Sequence, residues 1–168
     1  MSNPQVDVYV SLLETCVADT LRVAGAVRPA DRLIQLKPGK AHPMWLVGHL
    51  TNTLNTVILQ WVLAEESELT REFGKKFAPD FANGDPITAN AADYPSWDEV
   101  IGLYGKLGDC VIERLKKLRD SDLPLPLKGP IPEARRDIFK SNQITLARMV
   151  GHDSYHRGQI GLLSKINP

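Results

Sequence analysis

Apolar residues recur at helical spacing in four stretches of the chain, and each stretch lies between prolines. Proline removes a backbone donor and clashes inside a helix, so the gaps between the twelve prolines are natural places for helices. The pattern predicts amphipathic helices at about 5–27, 43–65, 96–118 and 141–165. At about 1.5 Å per residue, each would span roughly 30 Å. Four rods of matched length predict an all-α protein, specifically a four-helix bundle.

Local signals support the starts of two of these helices. Pro43 suits the first turn of the second helix, and Ser96 with Glu99 matches a capping box at the start of the third. No segment shows sustained two-residue alternation, so a sheet is not expected. The connections at about 28–43, 66–95 and 120–140 are long, which predicts at least one overhand crossover. The stretch 67–76 can form a short extra helix.

Composition narrows the class of protein further. The 168 residues fit one domain, and the formal net charge of zero argues against an extended nucleic-acid-binding surface. The N-terminus lacks the pattern of a signal peptide, and no apolar run is long enough to cross a membrane. Cys16 and Cys110 are far apart and suit small core positions in a reducing compartment. We therefore expect a cytoplasmic, single-domain protein.

Several glycines fall inside the predicted helices, where each costs about 1 kcal/mol relative to alanine. Gly48 and Gly151 directly precede two histidines, where a missing side chain leaves room. Gly102, Gly105 and Gly108 would let another helix approach the third helix closely. We expect this glycine-lined side to be a candidate surface for homodimerisation.

Three of the four histidines lie on predicted helices. His152 and His156 are four residues apart and share a helix face, so their imidazoles can converge on one metal ion. His49 lies on the inward side of the second helix and can supply a third ligand. His42 precedes Pro43 in a loop and is expected to face solvent. Spacing alone leaves open a second interpretation, in which these are neutral, hydrogen-bonded core histidines.

Asp153 lies between the paired histidines, in the order His-Asp-Ser-Tyr-His. This order is similar to the zincin signature, in which an acidic residue polarises a metal-bound water. Asp153 is therefore a candidate general base in a catalytic role. The alternatives are a residue that supports the ligands from behind and a solvated surface residue.

Three motifs make the chain resemble the DinB/YfiT-like superfamily. Residues 45–50 read W-L-V-G-H-L, residues 95–97 read P-S-W, and residues 152–160 read H-D-S-Y-H-R-G-Q-I. The resemblance implies a bundle of up-down-down-up connectivity and frequently a homodimer. It also implies one divalent metal ion per chain, nickel or zinc first and iron or manganese as alternatives. Matched residue by residue, its ligands are His49, His152 and His156.

Characterised members of that superfamily include transferases and isomerases that use a low-molecular-weight thiol such as bacillithiol or mycothiol. In this chain no motif places a serine or cysteine nucleophile beside a histidine, so a reaction is expected to run at the metal. The resulting prediction is a metal-dependent thiol S-transferase acting on a small electrophile. A metal-dependent hydrolase and a non-catalytic binding or stress-response protein remain alternatives. Arg157 and Gln159 are expected to hold the last helix against a loop, and Tyr155 is expected in the core.

Overall fold

The computed structural model describes residues 3–166, and this part of the chain is helical with no strand. Four long helices and one short helix follow one another, with short 3-10 turns in the connections. They are α1 (Pro4–Gly25), α2 (Pro43–Thr53), α3 (Arg71–Lys76), α4 (Trp97–Leu115) and α5 (Asn142–Leu163). The all-α class predicted from the sequence is confirmed, and the short extra helix predicted within 67–76 is α3.

The helix starts follow the sequence signals. Pro4 and Pro43 occupy the first turns of α1 and α2. The Ser96 hydroxyl oxygen accepts a hydrogen bond from the backbone N–H of Glu99 (3.2 Å), and Ser141 caps α5 in the same way. These caps satisfy backbone donors that a helix start otherwise leaves free. They fix where the two helices begin.

The second predicted helix differs from the expectation in its second half. Beyond Thr53 the chain continues as a π-helical segment, Leu54–Val62, and ends near Ala64, which has φ +56°. The segment at 127–131 crosses its end, where the Gly129 N–H donates to the Trp61 carbonyl (3.0 Å). Trp61 lies in the last turn, where helix carbonyls have no partner within the helix, and the loop supplies a donor for this one. Apolar periodicity alone does not reveal this change of pitch.

The four long helices pack side by side. α1 contacts α4 and α5, and α2 with its π-helical extension contacts the same two helices. Their apolar faces form one core, whose most deeply buried members include Ile58, Tyr104, Leu146 and Ile160. α2 and α5 therefore face each other across the interior. The predicted histidines lie on these two helices.

The glycines of α4 serve packing within the chain. A Cβ on Gly108 would lie 2.8 Å from Val17 on α1, and one on Gly105 would lie 3.5 Å from Leu21. A Cβ on Gly102 would meet nothing within 4 Å. The close approach that these glycines predict is confirmed for Gly105 and Gly108, but the approaching helix is α1. α1 therefore covers α4 at Gly105 and Gly108, and the expectation that these glycines form a dimer surface is wrong for these two.

Two further expectations concern the environment of the protein. No helix of the described residues is long and apolar enough to cross a membrane. Cys16 is buried, Cys110 is partly exposed, and both are free thiols. Burial raises the pKa of the Cys16 thiol. A buried thiol of raised pKa is a poor nucleophile, which agrees with a structural role for Cys16.

Candidate metal centre

The three helical histidines converge at one point between α2 and α5. The Nε2 atom of His152 lies 3.2 Å from that of His49 and 3.1 Å from that of His156. Ligand atoms of all three side chains lie within 4.8 Å of one another. His49 comes from α2, and the other two occupy successive turns of α5. The side chains that the sequence selected are thus brought together through their Nε2 atoms.

The backbone of Phe77 and the ring of Trp45 orient His49. The His49 Nδ1–H donates to the Phe77 carbonyl (3.0 Å), which leaves Nε2 as the unprotonated nitrogen. The Trp45 ring stacks on the imidazole with a centroid distance of 4.7 Å and an interplanar angle of 7°. Gly48 makes this arrangement possible, since a Cβ there would lie 2.2 Å from the Phe77 ring. His49 is therefore held by the stacked Trp45 ring and by the hydrogen bond of its Nδ1 atom to Phe77.

His156 has an equivalent support on its own helix. The Nδ1–H of His156 donates to the Gln159 side-chain oxygen at 2.6 Å. A metal-binding imidazole characteristically donates its other N–H to an oxygen, which fixes the tautomer and the direction of the ring. Two of the three histidines satisfy this condition, His49 through a carbonyl and His156 through an amide oxygen.

Burial keeps all three imidazoles neutral at pH 7. It lowers the pKa of His49 to about 4 and that of His152 to about 3, with a smaller contribution from the neighbouring histidines. Burial also lowers the pKa of His156. Neutral imidazole is the form that binds a metal ion, because the ligand nitrogen must carry a free lone pair. His49 is buried, while His152 and His156 are partly exposed, so the centre is open on one side.

The donor set fits a divalent transition metal. Imidazole nitrogens bind zinc at about 2.0–2.1 Å, so nitrogens that share an ion lie roughly 3 Å apart. The two shorter Nε2 separations, 3.1 and 3.2 Å, agree with this spacing. Among the described residues no fourth ligand joins the three neutral nitrogens, an arrangement typical of catalytic rather than structural zinc sites. The three histidines could therefore hold one metal ion and leave positions open.

A comparison with known protein families agrees with this geometry. The family model described as the DinB superfamily matches residues 12–160, which is most of the chain. The chain belongs to the DinB superfamily. No curated protein matches it. The matched range includes His49, His152 and His156, so the family seen in the three sequence motifs is confirmed.

Asp153 of this DinB superfamily protein is buried and hydrogen-bonded on both carboxylate oxygens. Tyr104 donates to one oxygen (2.6 Å) and Thr20 donates to the other (2.9 Å). Arg157 approaches the second oxygen at 3.4 Å. Burial raises the pKa of Asp153, and burial together with the nearby carboxylate raises the pKa of Tyr104, which stays an O–H donor. The carboxylate thus ties α5 to α1 and α4.

A small cavity lies beside His152 and Asp153 in the interior. It has a volume of about 10 Å³, and His152, Asp153, Tyr104 and Cys16 contribute to its walls. This is close to the least volume that one water molecule needs. The exposed part of the three-histidine cluster lies at His152 and His156.

The expectation that His42 faces solvent is wrong. The side chain is fully buried and caps α2, because its Nδ1 accepts the backbone N–H of Trp45 (3.1 Å). Its Nε2–H donates to the Thr88 carbonyl (2.8 Å). The connection between α3 and α4 folds over this helix start and removes it from water. His42 stands apart from the three converging histidines and links that connection to α2.

Three more side chains differ from the sequence expectation. Gln159 contacts His156 and Tyr155 of its own helix and not a loop. Tyr155, expected in the core, is 65% exposed. Arg157, also expected to hold the helix against a loop, instead pairs with Asp153 of its own helix and, at 3.8 Å, with Asp19 of α1.

Sequence reasoning missed the groups that support the ligands. Gln159 lies three residues after His156 on the same helix, so its spacing already placed it within reach. The carbonyl of Phe77 carries no sequence signal, because any residue offers a carbonyl. Its place beside His49 depends on how the 63–96 connection folds.

Proposed function

We propose that this protein binds one divalent transition metal ion through the Nε2 atoms of His49, His152 and His156. Nickel or zinc suits three imidazoles best, and iron or manganese is an alternative. The convergence of the three Nε2 atoms carries the proposal. The oxygen acceptors on the Nδ1 atoms of His49 and His156 support it, because they direct the lone pairs toward the shared point.

We further propose that the centre serves S-transfer from a low-molecular-weight thiol to a small electrophile. A divalent ion in this centre would supply a Lewis acid that lowers the pKa of a thiol or a water in an open position. In the transfer, sulfur forms a bond to the electrophilic carbon, the leaving group departs with its electron pair, and the thiol proton passes to solvent. The buried Cys16 thiol, whose pKa burial raises, supports an external thiol as the sulfur source.

The hydrolase alternative requires a base near the centre, and Asp153 is its sequence candidate. Both carboxylate oxygens of Asp153 already accept hydrogen bonds, from Tyr104 and Thr20. This favours a bracing role, in which Asp153 fixes the rotation of α5 and so the direction of His152 beside it. A catalytic role for Asp153 stays a prediction, and a non-catalytic binding protein is the remaining alternative.

Metal analysis tests the ligand assignment. The purified parent protein should take up close to one zinc or nickel ion per chain. His156→Ala should weaken binding on the order of 100-fold, because one of three ligands is lost. His42→Asn is the control, since asparagine can still cap α2 and His42 lies outside the cluster. Equal loss in both variants, or no uptake by the parent, would refute the assignment.

The reaction is tested with the metal-loaded protein. A thiol transferase should consume thiol with an electrophile such as a halo-nitroarene, depend on His49, and retain activity when Cys16 and Cys110 are replaced. A hydrolase should cleave esters or amides without thiol and slow in Asp153→Asn. Turnover in neither assay across a broad panel would favour the binding protein.

We propose a four-helix bundle with up-down-down-up connectivity for the fold as a whole. Residues that come later in α1 contact later residues of α5 and earlier residues of α4. This supports α1 parallel to α5 and antiparallel to α4. These contacts are Cys16 with Val150, Thr20 with Asp153, Leu21 with Gly105 and Val17 with Gly108. Arg32, before α2, lies over Trp97 at the start of α4, and Glu65, after α2, pairs with Arg114 near its end. This supports α2 parallel to α4.

We also propose a homodimer, with the outer face of α5 as its interface. Six residues three or four apart form a stripe along this face: Ile144, Arg148, Gly151, Tyr155, Gly158 and Leu162. Ile144, Tyr155 and Leu162 are 41%, 65% and 63% exposed. A Cβ on either glycine would meet nothing within 4 Å, so no packing inside the chain offsets the helix-forming penalty of these glycines.

The order of residues in the stripe suits a second copy in the antiparallel direction. Pairing about residue 153 places Gly151 opposite the partner's Tyr155, and Arg148 opposite the partner's Gly158. Ile144 then meets the partner's Leu162. Each glycine lies opposite a larger side chain, and one two-fold axis relates both halves of the surface.

We also propose that the protein is located in the cytoplasm. The free thiols of Cys16 and Cys110 support this location, because a reducing compartment keeps thiols unpaired.

A further inference from the structure

Gln159 lies beside the three histidines and makes two hydrogen bonds within α5. Its side-chain oxygen accepts the Nδ1–H of His156 at 2.6 Å. Its side-chain nitrogen donates to the hydroxyl oxygen of Tyr155 at 3.2 Å. Residues three and four apart on a helix are neighbours, so one helix face brings all three side chains together. Both ends of the amide are therefore engaged.

The direction of the amide determines which nitrogen of His156 is free. An amide oxygen can only accept, so the ring nitrogen facing it must carry the hydrogen, and Nε2 is then left with its lone pair. The reverse direction would turn the NH₂ group toward Nδ1 and favour the tautomer protonated on Nε2, which cannot bind a metal ion. In the structure the Gln159 nitrogen donates to the Tyr155 hydroxyl oxygen, which agrees with the first direction.

We propose that Gln159 is a positioning residue for the metal centre, acting through His156 without touching the ion. It selects the Nδ1–H tautomer of His156 and fixes the ring so that Nε2 points at His152 and His49. For His49 the Phe77 carbonyl does the same from another part of the chain. The proposal rests on the metal-binding function proposed above, but the tautomer of His156 can be measured without any metal.

Zinc affinity, measured by competition with a chromophoric chelator, is the first test. Gln159→Leu removes the acceptor and should weaken zinc binding about 10- to 100-fold, the usual effect of losing such a partner. Gln159→Glu has nearly the same shape and can only accept a hydrogen bond. Its zinc affinity should therefore lie within about threefold of that of the parent. Gln143→Leu, at an exposed position of the same helix, should change nothing.

Nitrogen NMR of ¹⁵N-histidine-labelled, metal-free protein is the second test. His156 should be the Nδ1–H tautomer in the parent and in Gln159→Glu, and should shift toward the Nε2–H tautomer in Gln159→Leu. An unchanged tautomer together with zinc affinity within twofold in Gln159→Leu would overturn the proposal. Equal weakening in Gln159→Glu and Gln159→Leu would also overturn it, because the acceptor would not matter. A parent that binds no zinc refutes the proposed function, and the tautomer measurement still decides the role of Gln159.

Discussion

Gly48 connects the packing of a loop to the direction of a ligand. The Phe77 ring is fully buried and occupies the space where a side chain at position 48 would begin. The carbonyl of the same Phe77 receives the Nδ1–H of His49. The loop can therefore reach the imidazole only because the residue before His49 has no side chain.

Replacing Gly48 should consequently affect both stability and metal binding. In Gly48→Ala the new Cβ would lie 2.2 Å from ring atoms of Phe77, so the ring and its backbone must move. We expect a loss of about 1–3 kcal/mol in the free energy of unfolding and a fall of about tenfold or more in zinc affinity. Urea unfolding and zinc titration measure the two effects.

Gly102→Ala is the matched control for this substitution. Gly102 is exposed in α4, and a Cβ there meets nothing within 4 Å. Its zinc affinity should equal that of the parent. If Gly48→Ala also bound zinc like the parent, the Phe77 carbonyl would have no part in orienting His49.

The neutral histidines predict how the stability of the metal-free protein depends on pH. The pKa of His49 is about 4 and that of His152 about 3 in the folded chain, against about 6.5 when unfolded. Between these values the unfolded chain binds more protons, so stability falls as pH falls below about 6.5. The slope approaches about 1.4 kcal/mol per pH unit for each such histidine.

Calorimetry in the presence of a chelator tests this dependence. The melting temperature of the parent should fall from pH 7 to pH 5, and it should fall less steeply in His152→Asn. The raised pKa of Asp153 makes the folded state more stable as pH falls, which is the opposite effect. Asp153 is present in both proteins, so its contribution largely cancels in the comparison. Parallel curves for parent and variant would mean that His152 is not a buried neutral group in the folded state.

At the scale of single residues, the sequence predicted the three converging histidines better than their surroundings. The positions of His49, His152 and His156 could be predicted because helical spacing places them on inward faces. The burial of His42 could not be predicted, because it depends on the 63–96 connection folding over α2. Exposure of Tyr155 was missed because a large aromatic side chain on a helix was expected to pack into the core. Local spacing predicts which residues share a face, but tertiary contacts decide which faces are covered.

Among the elements, α2 shows where periodicity stops being informative. Its start at Pro43 and its apolar face were predicted, whereas the π-helical turns of Leu54–Val62 were not. Six of the nine residues in Leu54–Val62 are buried, so the sequence offers few polar positions that could distinguish the two pitches. The N–H of Gly129, distant in sequence, donates to the Trp61 carbonyl in the last turn of this segment. Apolar spacing therefore predicted that a helix exists here but not its pitch.

The contact between α1 and α4 gives a prediction at this scale. A Cβ on Gly108 would lie 2.8 Å from the branched side chain of Val17, which is stiff and buried. Gly108→Ala should therefore push the two helices apart and lower the free energy of unfolding by about 1–3 kcal/mol. Gly102→Ala, in open space on the same helix, should raise it by up to about 1 kcal/mol. Urea unfolding of both variants measures the difference, and similar values would contradict the packing.

For the whole molecule, the arrangement of helices explains why one face of α5 is inward and another is free. The face of α5 that carries Asp153 contacts α1 and α4, and the face that carries His152 points toward α2. In the stripe from Ile144 to Leu162, a Cβ on either glycine would meet no other part of the described chain within 4 Å. Of the six stripe residues only Arg148 is charged, in a chain that is 24% charged overall. An exposed helix face of this composition is what a symmetric dimer covers.

Light scattering at micromolar concentration should accordingly give twice the chain mass of 18.6 kDa. Leu162→Glu places two symmetry-related charges in the contact and should give a monomer that remains helical by circular dichroism. Leu36→Glu is the control, because Leu36 is 67% exposed but lies in the connection before α2. It should leave the dimer intact. The monomeric variant should still bind zinc, since its three ligands come from one chain. A monomeric parent would refute the dimer, and equal disruption by both substitutions would place its interface elsewhere than on α5.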